Sequence, residues 1–546
     1  GVQVPWLPMD PDGFDHLEFP GLSFRVPVGL ERYRERLRET FPAEKRGIDR
    51  YCDFVAQVGA VQARMAKGRG TPSLSMLWQL LWSGRLLTRY RQATVSQLLD
   101  DCTRDPRLRA VLLGQSGDYG VRPSEASAVL HAGLAHHYFL GAWYPKGGGQ
   151  VLADGLSAQI EAHGGGVHLR SPVRRIRVVD GRAVGVEVEP HGGALQHIEA
   201  RVVISAADLR HTWLELLGPE HLPRPILERA GQLRMASALF LLCLGVRGDL
   251  RQQGLGAHNI WQFDQLDVEA TYRAAQDEGR LRPTGCYITS ACAKDPDSEG
   301  HAPPGITGVE VMALVPGKPE AWGVTAADLA SGAYRRHPAY LAHKAEVEAD
   351  LLARLDRQFP GAAAAVVFQE GATPLTHWRF TGAAEGSGYG LAATPGQFFD
   401  RRPGYRGPVA GLYQAGANTR AGHGIVGAMS GQRERLKATH RKVLDVLNRV
   451  GLSDSVLRLA ERRTRLDRLL VYGGMVATLL ATVNDGDEVI VFDPCYDSYE
   501  PSITLAGGTT VHLPLELPEF TIDWDRLADS LNERTRLVIV NSPHNP

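Results

Sequence analysis

The 546-residue chain lacks most of the features that would narrow its function at a glance. It contains no run of 18 uncharged apolar residues, so no segment reads as a membrane-spanning helix. Its six cysteines, Cys52, Cys102, Cys243, Cys286, Cys292 and Cys495, include no C-x-x-C pair, which removes a disulfide framework and a thiolate zinc site and makes the reducing cytoplasm the default compartment. Cys286 and Cys292 read as hairpin neighbours, either plain buried thiols or a redox couple. Charge of one sign is missing too. The 60 Lys and Arg against 61 Asp and Glu leave a net charge of −1, without a whole-protein preference for nucleic acid or for an acidic surface. No metal centre is expected, because His136 and His137 are adjacent and no carboxylate joins them at a ligand spacing. There is no internal repeat and no low-complexity tract. A hydrophobic fraction of 43% supplies apolar material for the cores of several domains.

The most informative segment runs from Gly411 to Gly431, Gly-Leu-Tyr-Gln-Ala-Gly-Ala-Asn-Thr-Arg-Ala-Gly-His-Gly-Ile-Val-Gly-Ala-Met-Ser-Gly. It reads as a buried strand, a glycine turn and a helix start. Gly416, Gly422, Gly424 and Gly427 would let backbone N–H groups approach a ligand and aim a helix N-terminus at it. Gly422-His-Gly-Ile-Val-Gly427 fits G-x-G-x-x-G, a weak match by itself in a chain with 60 glycines.

Elsewhere the periodicity predicts short strands over 1–30, a helix over 31–66, mostly helix over 73–142, and a helix from Gln150 to about His163. A β-meander follows, built from Gly166-Val-His-Leu-Arg170, the strands opening at Val173 and Ala183, and the run His197 to Ile204, with a turn at Asp180-Gly181. Leu239 to Leu244 and Val366 to Gln369 read as strands, and 340–358 as a helix. Leu74 to Leu87 repeats Leu and Trp at helical spacing, which suits a core helix or a helix with one face dipped in a bilayer. The segment 441–470 reads as a charged helical linker rather than a nucleic-acid arm.

Taken in order, several segments resemble the phytoene desaturase and retinol saturase family of FAD-dependent oxidoreductases. They are Asp12-Gly-Phe-Asp15, Phe24-Arg-Val-Pro27, Gly117-Asp-Tyr-Gly120, Tyr144-Pro-Lys-Gly-Gly-Gly149, Val203-Ile-Ser-Ala-Ala-Asp208, Ala372-Thr-Pro-Leu-Thr376, Tyr389-Gly-Leu391 and the glycine segment. The resemblance spans roughly residues 1–440 and implies an α/β FAD/NAD(P)-binding fold that interleaves substrate and flavin domains. It further implies FAD as cofactor, NAD(P)H as a candidate reductant and a lipophilic isoprenoid substrate, with a cytoplasmic or peripherally membrane-associated protein. Carried over residue by residue, Gly416, Ala417 and Asn418 would line the ribityl chain, and Gly424, Ile425, Val426 and Gly427 the pyrimidine edge, while Val173, Ser205 and Ala206 would stand on the adenine side. The family's N-terminal strand-glycine-helix cradle for the pyrophosphate is not among these residues; the expectation is an incomplete N-terminus lacking that βαβ unit, with the cradle supplied by upstream sequence and FAD held weakly. The proton donor stays open: His137, Tyr138, Tyr144 and His377 lie near matched motifs, and Lys146 sits in a glycine turn.

A second resemblance starts near residue 471. Asn484 to Tyr499, Leu505-Ala-Gly-Gly508 and Leu537 to Pro546 look like the large domain of class I/II PLP-dependent aminotransferases. Tyr496 stands where that family stacks a ring on PLP and Asn545 where it contacts the phenolic oxygen, but the lysine, acid and arginine of the family would lie beyond Pro546, so a partial domain without transaminase activity is expected. Three readings remain: an FAD-dependent oxidoreductase that saturates or desaturates C=C bonds of a polyene lipid, a PLP aminotransferase fragment, or a non-catalytic fusion of two partial domains.

Overall fold

Short turns and capping residues set most element boundaries near the start of the chain. In this computed structural model β1 (Trp6–Pro8) is followed by a hairpin of β2 (Asp15–Phe19) and β3 (Leu22–Val26), closed by a turn with Gly21 at φ 70°. The expected single helix over 31–66 is two, α1 (Leu30–Thr40) and α2 (Lys45–Lys67). Pro42 divides them, since a residue before proline is pushed out of the helical region and Phe41 takes φ −129°. A capping box of Thr94 and Gln97 starts α3 (Val95–Cys102), Asp105 caps α4 (Pro106–Leu113), and Ser127 caps α5 (Ala128–Phe139).

Beyond them β4 (Trp143–Pro145) pairs with β1, and a helix covers Gln150–Ala162. The meander holds only three strands, β5 (Val173–Val179), β6 (Arg182–Val188) and β7 (Gln196–Glu199), with positive φ at both Asp180 and Gly181 as a tight hairpin requires. Two expectations are corrected here. Gly166–Arg170 forms no strand, and Leu169 is 82% exposed, so it has no sheet face to bury. The run from His197 to Ile204 divides: its end becomes β8 (Val203–Ser205), which leaves the meander and pairs in parallel with a strand 200 residues later.

Further elements of the first unit include β9 (Ala238–Arg247), β10 (Asn259–Phe263), α6 (Val268–Gln276), β11 (Gly285–Thr289), β12 (Ile306–Val315), α7 (Pro338–Gln358), β13 (Val366–Ala372) and β14 (Leu412–Gln414). Seven strands make one sheet in the order β13-β9-β12-β11-β10-β2-β3, antiparallel except where β2 meets β10. One face packs Phe240, Leu242, Leu244 and Val311 against Val347, Leu351 and Leu355 of α7. Leu17 and Trp261 share a separate core with α1 to α5.

The structure describes residues 4–67, 85–191, 193–398, 401–420, 483–493, 500, 503–504, 507–515 and 521–539, in two units, Gly1–Lys437 and Ala438–Pro546. In the second, β15 (Glu488–Asp493) is flanked in parallel by β16 (Thr509–Pro514) and β17 (Thr535–Ile539). Val489, Ile490, Val491 and Phe492 are all buried, as a central parallel strand covered on both faces demands. Ile490, Phe492, Leu513 and Leu515 form its core. Among the described residues no helix is long and apolar enough to cross a membrane. The helix read over Leu74 to Leu87 falls almost entirely outside the described residues, as do the 441–470 linker, Gly424, Ile425, Val426, Gly427, Cys495, Tyr496 and Asn545.

Candidate functional site

Strand alternation lays the second face of the seven-stranded sheet out in rows. Asp15, Asn259, Thr289, Glu310 and Cys243 are cross-strand neighbours and form a polar row. Two residues further along each strand come Leu17, Trp261, Tyr287, Met312 and Leu241, and beyond them Phe19, Phe263, Gly285, Leu314 and Leu239. The period of two alone produces this division into one polar and two apolar bands. Trp261 meets Tyr287 edge-on at 4.6 Å between centroids, and Phe19 stacks on Phe263 at 4.6 Å. Over the apolar bands lies a cavity of about 170 Å³, walled by Leu239, Trp261, Phe263, Tyr287, Met312, Ala313 and Leu314 of the sheet, Thr271 and Tyr272 of α6, the turn Ser116–Asp118, and Tyr389.

Two carboxyl groups meet at its edge. Asp15, 2% exposed, accepts from Gln115 Nε2 at 2.6 Å and Asn259 Nδ2 at 2.7 Å. Burial raises its pKa to about 6 despite those two donors and the nearby Lys294. Asp118 lines the cavity itself. Burial, then repulsion from Asp15, push it well above the carboxylate range, while a hydrogen bond with Tyr138 acts the other way. Its Oδ2 is buried and has no partner among the described residues. Lys294 donates to Asn259 Oδ1 at 2.6 Å and to Thr289 Oγ1, lies 5.4 Å from the Tyr144 ring centre, and is brought down to about 8 by burial. The arrangement can bind an elongated apolar molecule, exclude water from it and place a neutral carboxyl group against it.

The glycine segment adjoins this cavity through one hydrogen bond. Ser205 of β8 and Gln414 of β14 are paired, and Ala415 N–H donates to Ser205 O at 2.8 Å. Gly416 has φ 86°, and among the described residues a Cβ there would meet only Ala206 O, at 3.8 Å. Asn418, 9% exposed, uses Oδ1 to accept from Leu391 N–H at 2.8 Å, two residues from the cavity wall at Tyr389. Gly390 lets this happen, for a Cβ on it would stand 2.1 Å from that oxygen. Ala417 O accepts from the buried Arg402. Thus Ser205, Ala206, Gly416, Ala417 and Asn418 come together on one strand-turn edge. Val173 opens β5, pairs with Val188 and is 37% exposed; the meander touches the β14 end through Ala183 N–H to Ala410 O, at the opposite end of its hairpin.

The described part of this edge suits a flavin nucleotide. A backbone that a ligand can approach at Gly416 stands beside Gln414, which is 5% exposed and has both side-chain polar atoms unpartnered among the described residues. The C-terminal pair Tyr496 and Asn545, read as PLP contacts, lies outside the described residues, so no such test applies to PLP.

Of the four earlier candidates for a proton donor, His137 lies on α5 with its ring 5.8 Å from that of Tyr138 and its pKa lowered by burial, and Tyr138 bonds Asp118. Tyr144 faces Lys294 and His301, and His377 lies on the Pro374–Thr381 helix with its pKa lowered by burial. Sequence reasoning missed Asp15, Gln115, Asp118, Asn259 and Lys294. Both acids stand inside motifs quoted above, but no spacing rule relates residue 15 to residue 118. Cys286 and Cys292 are free thiols with different neighbours, Gln262 and Gly308. Among the described residues Asp10, His16 and His258 place ligand-type atoms within 4.8 Å, but the imidazoles stack face to face at 3.7 Å beside Arg25, which disfavours a further cation.

Comparison with known proteins follows the same division. Zebrafish (Danio rerio) all-trans-retinol 13,14-reductase is 30% identical over 307 residues, 54% of this chain and 50% of that protein. The rat (Rattus norvegicus) protein of the same name is 30% identical over 407 residues, 71% of this chain and 65% of its own length. This chain therefore spans half to two thirds of these relatives. Methionine aminotransferase of Escherichia coli is 54% identical over 72 residues, 13% of this chain and 19% of that enzyme. The class I and II aminotransferase family matches residues 468–546, and the family of the snare region anchored in the vesicle membrane C-terminus matches 419–464, where only Thr419 and Arg420 are described. The flavin containing amine oxidoreductase family matches residues 32–434. That match covers well over half of the chain, and the protein belongs to the flavin containing amine oxidoreductase family, with a C-terminal stretch similar to aminotransferases.

Proposed function

We propose that this protein is an FAD-dependent oxidoreductase that reduces or forms a C=C bond in an isoprenoid polyene. The observation that carries the reading is the cavity: two apolar rows of a sheet, closed by Tyr272 and Tyr389, with a carboxyl group in the wall and the Asn418 turn bonded to Leu391, two residues along the chain from Tyr389. Its chemistry suits a hydrocarbon, since the walls offer dispersion contacts and few polar partners. The relatives that act on retinol, by their names, point to the same substrate class. FAD, when bound, exchanges a hydride equivalent with the substrate. Ser205, Ala206, Gly416, Ala417 and Asn418 would hold it, with Val173 toward the adenine and Gly424, Ile425, Val426 and Gly427 on the pyrimidine edge. The chain's own residues bind the polyene on Trp261, Phe263 and Leu314, keep water from it and hold a proton at Asp118. Residues 1–440 form this oxidoreductase, 441–470 a linker, and 471–546 part of an aminotransferase large domain, a separate element for which PLP is the matching cofactor.

Met312→Trp tests the reading, because Met312 stands in the apolar row that faces the cavity. The indole would fill the space the substrate needs, and all-trans-retinol, which quenches tryptophan fluorescence by energy transfer, is expected to bind the unchanged chain and to lose at least about tenfold in affinity with the variant, a loss of roughly 1.4 kcal/mol. Equal quenching curves for the two proteins would move the substrate to another site.

A further inference from the structure

Reduction of an isolated C=C bond needs a hydride at one carbon and a proton at the other, and the cavity holds one group shaped for the second role. Asp118 sits on the short turn Ser116–Asp118 and lines the cavity together with Trp261 and Tyr287. Its Oδ2 is buried and, among the described residues, unpartnered, whereas Asp15 has each of its oxygens engaged, by Gln115 and by Asn259. Asp15 belongs to the polar row and is not part of the cavity wall. Buried, unpaired carboxyl oxygens are rare because a carboxylate there loses its hydration without compensation; a neutral carboxylic acid tolerates the same place and keeps an O–H to give. The tyrosines around it are poorer acids. Burial raises Tyr272 and Tyr287.

We propose that Asp118 is the proton donor of the polyene reduction, its Oδ2–H delivering a proton to one alkene carbon as the hydride equivalent of reduced FAD enters at the other. This rests on the substrate reading above. The Oδ2–H bond breaks, the π-bond pair becomes the new C–H bond, and the two-electron reduction of the alkene matches the two-electron oxidation of the flavin. Asp118 is left as the carboxylate and regains a proton from water once the saturated product leaves. The adjoining Asp15 has a part in this: its negative charge makes the carboxylate of Asp118 costly and returns the residue to its acid form.

The infrared spectrum of the chain without added flavin gives a readout independent of turnover. At pH 8 Asp15, with a pKa of about 6, is ionised, so a C=O stretch of a neutral carboxylic acid that persists there and is absent from Asp118→Asn belongs to Asp118. With FAD and a reductant supplied, Asp118→Asn is expected to bind retinol as before and to reduce it at least about a hundredfold more slowly, the usual contribution of a positioned general acid. Asp118→Glu, which keeps a carboxyl group in the cavity, is expected to recover part of both signals and stands in should the Asn variant not fold. A chain that binds retinol but shows no such band at pH 8, or whose Asp118→Asn variant turns over within tenfold of the unchanged protein, overturns the inference alone. A chain that binds no polyene overturns the substrate reading and the inference together.

Discussion

Arg402→Met is expected to destabilise the first unit by roughly 2–5 kcal/mol and to expose the backbone of residues 391–420 to hydrogen exchange. Arg402 is 2% exposed, and its guanidinium donates to Gln397 O at 3.2 Å and to the carbonyls of Ala417 and Leu391. Among the described residues no carboxylate pairs with it. Burial lowers its pKa from 12.5 to about 10, so the charge persists at neutral pH and costs roughly 3 kcal/mol in lost hydration. Against that cost stand three charge-assisted hydrogen bonds of about 1.5–3 kcal/mol each, and the variant also strands the carbonyl of the buried Leu391 and those of the half-buried Gln397 and Ala417. The bonds win, and the methionine variant loses more than it relieves. Arg402→Lys is no remedy, because one ammonium cannot span three carbonyls placed for a planar fork. Because the same side chain holds Ala417 beside Asn418, the edge proposed to hold flavin should loosen with the fold. Unchanged exchange over 391–420 in Arg402→Met would show that the turn is held by something else.

Two buried groups should give stability opposite dependences on pH. His131 is 4% exposed, bonded to Tyr51 Oη at 2.8 Å and Tyr119 Oη at 3.1 Å, and burial lowers its pKa from 6.5 to about 4. Between those values the unfolded chain binds more protons than the folded one, so this contribution is complete above 6.5 and is lost as pH falls toward 4, by roughly 3 kcal/mol. Asp15 has the other sign. Its pKa rises from 3.8 to about 6, the folded chain binds more protons in that window, and stability falls as pH rises through it, by a similar roughly 3 kcal/mol. Unfolding free energies relative to the unchanged protein check this. His131→Gln should gain on it as pH drops from 7 to 4, and Asp15→Asn should gain on it as pH climbs over the same range. Differences that stay flat or share a sign would place one of these groups in water.

Much of this architecture is legible where local chemistry decides the outcome. Leu239 to Leu244 reads as a strand because it is covered on both faces, and Asp180-Gly181 reads as a hairpin turn because both residues accept positive φ. The glycine segment announces backbone approach, and among the described residues only Ala206 O lies within 4 Å of where a Cβ on Gly416 would stand. Longer-range features are not legible. Asp15 and Asp118 meet because a sheet strand and a turn of the helical layer close on one cavity, and each looks like an ordinary loop acid in its own motif. Arg402 follows another arginine and precedes a proline, a context that gives no hint of burial. Gly166–Arg170 had the composition of a strand but found no partner, and β8 was drawn off the meander by β14, a pairing across some 200 residues that local patterning does not encode.

The central claim is that a polyene in the cavity over Trp261 exchanges a hydride with FAD held at the Gly416 edge. Its most direct test is a single turnover without oxygen, in which the protein, saturated with FAD and photoreduced, is mixed with all-trans-retinol and both absorption bands are followed. The account predicts that flavin reoxidation and a blue shift of the polyene band, from the loss of one conjugated double bond, proceed at one rate and in equal amounts. Retinol that binds and keeps its spectrum while the flavin stays reduced would contradict it.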